Sequence, residues 1–317
     1  MTARRGLVTF GETMGLVTAD EPGPLDATRT LALGIGGAES NVAIGVRRLG
    51  GQATWFGRVG DDAVGTMIER RLLGEQVRAL VIRDPGFTGL MVKHRRFGSR
   101  VSVDYHRAGS AGSRLAPDDV PAEQIGRAAV LHLTGITPAL SDSAREATLR
   151  AVAVARAAGV AVSLDVNYRS KLWSADAARP VLRELVAQAD VVFAGPEEAC
   201  VVLGEDGAPR ELARALGALG PGEVVVKLGE RGCLAAIDGR EHEVPALATT
   251  VVDPVGAGDA FVAGYLAERL REAPPEQRLA TAVAAGACAV SVPGDCEGMP
   301  WRDELDALTG AEEEVVR

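Results

Sequence analysis

Four cysteines are all that 317 residues contain, and Cys200, Cys233, Cys288 and Cys296 form no C-x-x-C pair. That scatter argues for a reducing compartment and against structural zinc. Histidine is equally scarce: His94, His106, His132 and His242 show neither H-E-x-x-H nor any catalytic spacing. His132, inside an apolar run, reads as core. Positive charge is also in deficit. With a formal net charge of −9 and a pI near 5.1, the chain has no electrostatic hold on nucleic acid or an anionic membrane, so any anionic ligand must be gripped locally. The opening "MTARRGLVTFGETMG" carries two arginines but no apolar h-region. Neither a signal peptide nor a membrane span is therefore expected, and the cytoplasm is the expected location. Two phosphate-binding fingerprints are missing as well: no G-x-x-x-x-G-K-[ST] run occurs, and no G-x-G-x-x-G follows the first strand. No repeat of solenoid length is visible, and nothing before the acidic end "GAEEEVVR" has a disordered composition.

What is present is apolar residue in quantity, 47% of the chain, enough for one large domain or one and a half. Helical and strand periods alternate along most of it. "GLVTFGE" and "GQATWFGRVG" read as strands around a helix, "SNVAIGVRRLG", that ends on glycine. "AVLHLTG", "VAVSLDVN", "DVVFAG" and "EVVVKLG" are short apolar runs bounded by turn residues, suited to strands buried on both faces. The alanine-rich "SDSAREATLRAVAVARAAG" and "ADAARPVLRELVAQAD" between them carry apolar residues at helical spacing. The pattern predicts an α/β sheet with helices on both faces.

Two windows, residues 12–37 and 88–107, break the rhythm. Each reads as a strand pair without an intervening helix, which predicts a small separate sheet. A sheet projecting from residues 1–11, 38–87 and 108–317 would make a lid. An ordinary edge hairpin explains the same pattern equally well.

"VDPVGAGDAFVAGYLAERL" reads as a strand end, a glycine turn and a helix. Small residues at Gly256, Ala257 and Gly258 let successive backbone N–H groups converge at the helix N-terminus, where the dipole also favours negative charge. As a bare turn it would need no further explanation. Asp259 changes the weighing, because a carboxylate facing an anion site is unfavourable unless it serves as a base. Phosphoryl transfer needs that pairing, donors for the moving charge and a base at the attacking hydroxyl. A second glycine cluster, "LGIGGAESNVAIG", would let a ligand approach the backbone at Gly36 and Gly37, with Glu39 and Asn41 as polar contacts; Ser40 or Asn41 as a simple helix cap is the plainer reading.

"GIGGAESNVA" followed by "DPVGAGDAF" resembles the paired signatures of the ribokinase-like (PfkB) carbohydrate kinase family, and the match extends over nearly the whole chain. Within it, "FTGLMVKHR", "YHRAGSAGSRL", "HLTGITPALS" and "LDVNYRSKLW" are most similar to the 2-keto-3-deoxygluconate kinases. The resemblance implies a three-layer α/β/α sandwich with a small β-sheet lid, and transfer of the ATP γ-phosphoryl group to the terminal hydroxyl of a keto-deoxy sugar acid. It makes Asp259 the catalytic base and Gly256, Ala257 and Gly258 the anion hole. Gly36, Gly37 and Asn41 fall in the sugar signature, Met91, Tyr105 and Arg107 on the lid, and Arg169 where the subgroup places a sugar-acid arginine. Asp295 matches another substrate position, with a turn residue as the alternative. Lys227, Gly229, Gly232 and Gly286 fall in the nucleotide site, although "AAGACAV" around Gly286 reads equally well as helix core. Magnesium is expected with ATP. Glu198 matches a metal-linked glutamate, while Gly195 stands where the family's N-x-x-E motif has asparagine, which puts that segment's metal role in question.

Arg107 and Arg169 carry the choice of substrate, since guanidinium binds a carboxylate through two parallel hydrogen bonds and a neutral sugar has no such group. Arg95, Arg96 and Arg100 are expected to form a solvated basic strand face. Expected partners are thus a sugar acid and ATP, without nucleic acid or membrane; assembly into a homo-oligomer is left open. The rivals are a kinase for the galacto epimer, fructose, ribose or a nucleoside, and a sugar-binding regulator without turnover.

Overall fold

The computed structural model describes residues 5–19, 21–95 and 101–310, with the side chains of 309 and 310 left aside. Arg96, Arg100 and the acidic C-terminal end lie outside the described residues. The chain starts with β1 (Leu7–Phe10), β2 (Met14–Ala19) and β3 (Leu31–Gly36), then α1 (Ala38–Arg48), β4 (Ala53–Gly60), α2 (Ala63–Gly74) and β5 (Arg78–Asp84). A strand pair follows, β6 (Leu90–Arg95) and β7 (Val101–His106). Next come α3 (Ala122–Arg127), β8 (Val130–Thr134), α4 (Asp142–Ala158), β9 (Ala161–Asp165), α5 (Ala175–Gln188), β10 (Val191–Ala194), α6 (Pro196–Leu203) and α7 (Pro209–Gly217). The last third holds β11 (Glu223–Lys227), the hairpin β12 (Cys233–Ile237) and β13 (Arg240–Val244), then α8 (Ala257–Leu270), α9 (Pro275–Ala289) and α10 (Arg302–Gly310).

Among the described residues nine strands pair in the order β13-β12-β11-β10-β9-β8-β1-β4-β5. From β11 to β5 every pairing is parallel, whereas β12 and β13 add an antiparallel edge. The sheet is therefore mixed, and its 233–244 hairpin went unread in the sequence. Burial on both faces explains the unbroken apolar runs. Along β10, Val191 and Phe193 join the core under α1, α8 and α9, while Val192 and Ala194 join the core under α4 to α7. One strand with a two-residue period thus feeds both layers of helices. Phe193 meets Tyr265 edge-on at 5.2 Å between ring centroids, a geometry worth about 0.5–1.5 kcal/mol beyond the area it buries. Helix starts follow their capping residues: Ser141 accepts from the Ala144 N–H at α4, and α4 ends on Gly159 in the left-handed region. His132 lies in the core with its ring against the Ser163 hydroxyl, and burial pulls its pKa down to about 3.

The two irregular windows do form their own sheet, ordered β3-β2-β6-β7. β2 runs antiparallel to β3 and parallel to β6, and β7 returns antiparallel along β6. Its core is small: Met14, Leu16 and Met91, with Val103 against them. It stands over the C-terminal ends of the parallel strands, the end at which open α/β sheets form their ligand crevice.

Candidate active site

Between the two sheets lies a cavity of about 1130 Å³. Its floor is formed by residues at or just beyond the ends of β1, β9 and β11, together with the N-terminus of α8. Gly256 caps α8 at φ 80, a left-handed conformation that suits glycine, and among the described residues no side chain caps the helix end by a hydrogen bond. A Cβ there would overlap the Asp295 carbonyl oxygen, so the turn needs glycine twice over. The first N–H groups of α8 are consequently left to a ligand.

Asp259 stands in that first turn. Its carboxylate accepts from Asn41 Nδ2 at 2.8 Å, and the same nitrogen lies 3.4 Å from Asp295 Oδ2. Two acceptors facing one amide fix its orientation, which leaves Asn41 Oδ1 buried without a partner. Asp259 keeps part of its surface open to the cavity, yet the surrounding protein desolvates the carboxyl. Burial, joined by Asp165 and Asp295 against the opposing pull of Asn41 and Arg169, pushes its pKa up to about 7. Asp295 is buried, and desolvation pushes it up to about 6 despite Lys93. It lies in the bend between α9 and α10 with its carboxylate packed against the cavity.

Across the helix start, Lys227 reaches from the end of β11 to Asp165 at the end of β9, with both oxygens within 2.7–2.8 Å of the ammonium. Burial pulls this ammonium toward neutrality, but Asp165, Glu198 and Asp259 together hold its pKa above the ordinary value. A Cβ on Gly258 would stand 3.7 Å from it. Lys227 thus points its charge at the α8 N-terminus. Glu198, in the first turn of α6, accepts from the Gly195 N–H and also borders the cavity. Among the described residues no three His, Cys, Asp or Glu gather as a metal cage. A magnesium ion brought in by nucleotide phosphates needs only one or two carboxylates, and Glu198 beside Asp165 fits that requirement.

The opposite wall comes from the small sheet. Met91 packs over Gly36, where any side chain would collide with its methyl group and with Asp295. Tyr105 on β7 and Arg107 just beyond it face the cavity, with the guanidinium 5.7 Å from the ring centroid. Arg107 is not free: it pairs with buried Glu12 at 2.5 Å, and Glu12 also accepts from the Ser110 hydroxyl. Arg169 differs. It sits exposed on the loop after β9 at the cavity edge, with no carboxylate in ion-pair range among the described residues. Lys171 on the same loop stacks on Tyr105 from 5.6 Å.

Gly37, Asn41, Met91, Tyr105, Arg107 and Arg169 therefore meet in one cavity with Glu198, Lys227, Gly256, Gly258, Asp259 and Asp295. Gly36, Ala257, Gly229, Gly232 and Gly286 do not border it. Gly286 faces the Ala257 carbonyl and Phe261, where α9 packs on α8. Sequence reasoning missed Glu12, Asp165 and Lys93. The signal for Asp165 was available, a carboxylate in "LDVN" closing a buried parallel strand. The expectation for Arg95 is corrected: it is half-buried and donates to the Val252 carbonyl at 3.0 Å, because β6 lies against the turn that leads into α8.

The sequence pattern of the pfkB family carbohydrate kinases matches residues 4–302. The chain belongs to that family. It is 35% identical over 313 residues to the 2-dehydro-3-deoxygluconokinase of Bacillus subtilis, covering 97% of this chain and 96% of that one. A 2-dehydro-3-deoxygalactonokinase of Haloferax volcanii is 36% identical over 298 residues, 93% of each. The crystal structure of the 2-dehydro-3-deoxygluconokinase of Thermotoga maritima superposes with a TM-score of 0.90 at 26% identity, covering 98% of this chain and 100% of that chain. The ribokinase-like fold follows from these likenesses, as does a sugar kinase activity.

Proposed function

We propose that this pfkB kinase transfers the γ-phosphoryl group of MgATP to the terminal hydroxyl of 2-keto-3-deoxygluconate, giving the 6-phosphate. The observation that carries the reading is Asp259, a carboxylate poised near neutrality in the first turn of a helix whose N-terminus no side chain among the described residues caps by a hydrogen bond. Asp259 accepts the proton of the hydroxyl as it attacks. The N–H groups of Gly256, Ala257 and Gly258, with Lys227, meet the charge on the moving phosphoryl group. Asn41 and Asp295 orient the sugar hydroxyls, and Asn41 Oδ1 supplies the buried acceptor that awaits a donor. Arg169 receives the sugar carboxylate. Most of the rate gain comes from positioning. Glu198 would hold the phosphate-bound magnesium, which would offset the charge on the phosphates, and Gly229 and Gly232 would border the rest of the nucleotide. Four free thiols suit a reducing cytoplasm.

ADP release across the gluco and galacto keto-deoxy acids, fructose and ribose tests the substrate. The acids should exceed the neutral sugars in kcat/KM by at least about 30-fold, the lower bound expected for losing one partner of a desolvated charge pair. A neutral sugar that matched them would end the sugar-acid reading. The likeness to the Haloferax volcanii relative supports a second reading, in which the galacto epimer is used as well.

The small sheet acts as the lid. β3 and β7 are its exposed outer strands, while β2 and β6 hold its core. Amides of β3 and β7 should therefore exchange faster than those of β2 and β6 in the free protein and slow on adding sugar acid. Identical exchange with and without ligand would leave only an edge sheet.

A further inference from the structure

Lys93 has no part in these roles, although its side chain is as buried as the core. β6 is pleated, so Met91, Lys93 and Arg95 share one face. That face meets the turn that builds the α8 N-terminus. Met91 sits beside Asp295, and Arg95 reaches the Val252 carbonyl. Between them the Lys93 ammonium lies 2.6 Å from Asp253 Oδ2, 3.0 Å from the Gly294 carbonyl and 3.9 Å from Asp295 Oδ1. Lys93 is 3% exposed and Asp253 is 2% exposed. Asp253 continues the connection: its carboxylate accepts from the N–H groups of Val255 and Gly294, each at 3.2 Å. One ion pair thus joins the 253–255 turn, the 294–295 loop and the small sheet. These two body segments are the ones whose backbones touch at Gly256.

We propose that Lys93 is a positioning residue for phosphoryl transfer, a built-in ammonium on the small sheet that holds residues 253–256 in the shape presenting the backbone N–H groups of α8. The proposal rests on the reading of Gly256, Ala257 and Gly258 as the anion hole. Well-packed apolar residues could hold two segments together as firmly as a buried ion pair. What the ammonium adds is direction, since its donors engage acceptors on two separate segments, the Asp253 carboxylate and the Gly294 carbonyl. Without it Asp253 would be a buried, unpaired charge, and Asp295 would lose the cation that opposes its desolvation. A second cavity of about 320 Å³, bordered by Lys93, Asp253, Gly294 and Glu297, reaches the ion pair along the same face of the small sheet, under β2 and β3. A small amine can enter there.

Steady-state ADP release with Lys93→Met, Lys93→Ala and the charge-neutral pair Lys93→Met/Asp253→Asn tests this. Misplaced N–H groups should lower kcat by about 10²-fold in each variant while both KM values stay within about threefold of the parent. Methylammonium chloride should restore kcat in Lys93→Ala by roughly tenfold, choline chloride at equal ionic strength should not, and the parent should respond to neither. The neutral pair guards against misfolding, because it removes the Asp253 charge together with its cation; it should melt near the parent and still show the loss in kcat. A folded neutral pair with parental kcat, a loss confined to KM, or equal effects of the two salts on Lys93→Ala would overturn the proposal. Asp259→Asn measured alongside separates the two readings. If it keeps kcat, the site reading fails; if it loses kcat while the Lys93 variants do not, only the present inference fails.

Discussion

Asp259→Asn should lower kcat by about two to four orders of magnitude, the usual worth of a positioned general base, with both KM values near those of the parent. The amide keeps the shape of the carboxylate, and its oxygen can still accept from Asn41 Nδ2. Only the proton acceptor disappears. Single-turnover transfer from labelled ATP separates this from slow product release. Near-parental turnover in a folded Asp259→Asn chain would remove the mechanism.

The same carboxylate sets a pH dependence with a definite sign. In the parent, kcat/KM should rise with pH through an apparent pKa near 7 and level off above it, since only ionised Asp259 accepts a proton. Its pKa is raised from 3.8 to about 7, so its protonated form favours folding. That contribution is fully present below pH about 4 and is lost as pH rises through about 7. Asp259→Asn should therefore melt higher than the parent at pH 8 and alike at pH 4. The full shift would correspond to about 4 kcal/mol, but the cavity-facing surface of Asp259 is screened by water, and about 1–2 kcal/mol, roughly 2–5 °C, is the reasonable expectation. An active-site residue that costs stability while it supports turnover is the usual trade. Equal melting at pH 8 would show that burial leaves Asp259 ionised at no cost.

The parallel strands were legible because burial on both faces leaves a local trace. "AVLHLTG" and "DVVFAG" admit few other structures, and glycine beside an aspartate at a helix start marks an anion site by its own chemistry. The pair Asp165 and Lys227 left no such trace, since its members are 62 residues apart and meet only when β9 and β11 take their places on either side of β10. Arg95 shows how a local habit misleads. Charge on a short strand is solvated by default, yet the two-residue period places Arg95 on the face of Met91, already assigned to the sugar-facing side of the lid. Lys93 belongs to the same face. Glu12 was hidden for a different reason: its partner Arg107 was assigned outward, to a ligand, before any internal carboxylate was considered.

That pairing makes the two arginines unequal, and substrate class now depends on Arg169. Arg107→Ala would strip buried Glu12 of its cation, so a loss there would fall on every substrate alike and say little about the carboxylate. Arg169 has no such partner. Its replacement by alanine should cost about 2–5 kcal/mol in kcat/KM for the keto-deoxy acid, the range for truncating one member of a desolvated charge pair. ATP affinity should hardly change, because Arg169 is assigned to the sugar carboxylate and not to the nucleotide. Lysine at position 169 should restore part of the loss, keeping the charge but not the planar fork. The decisive comparison uses a neutral analogue with hydroxymethyl in place of the carboxylate. The parent should handle it poorly, and at about pH 9, where Asp259 stays ionised even without the pull of Arg169, Arg169→Ala should handle it no worse than the parent does, since the contact removed is one the analogue never makes. If Arg169→Ala instead lost the acid and the neutral analogue by the same factor, Arg169 would be supporting the loop, and the physical case for a sugar acid over a neutral sugar would fall with it.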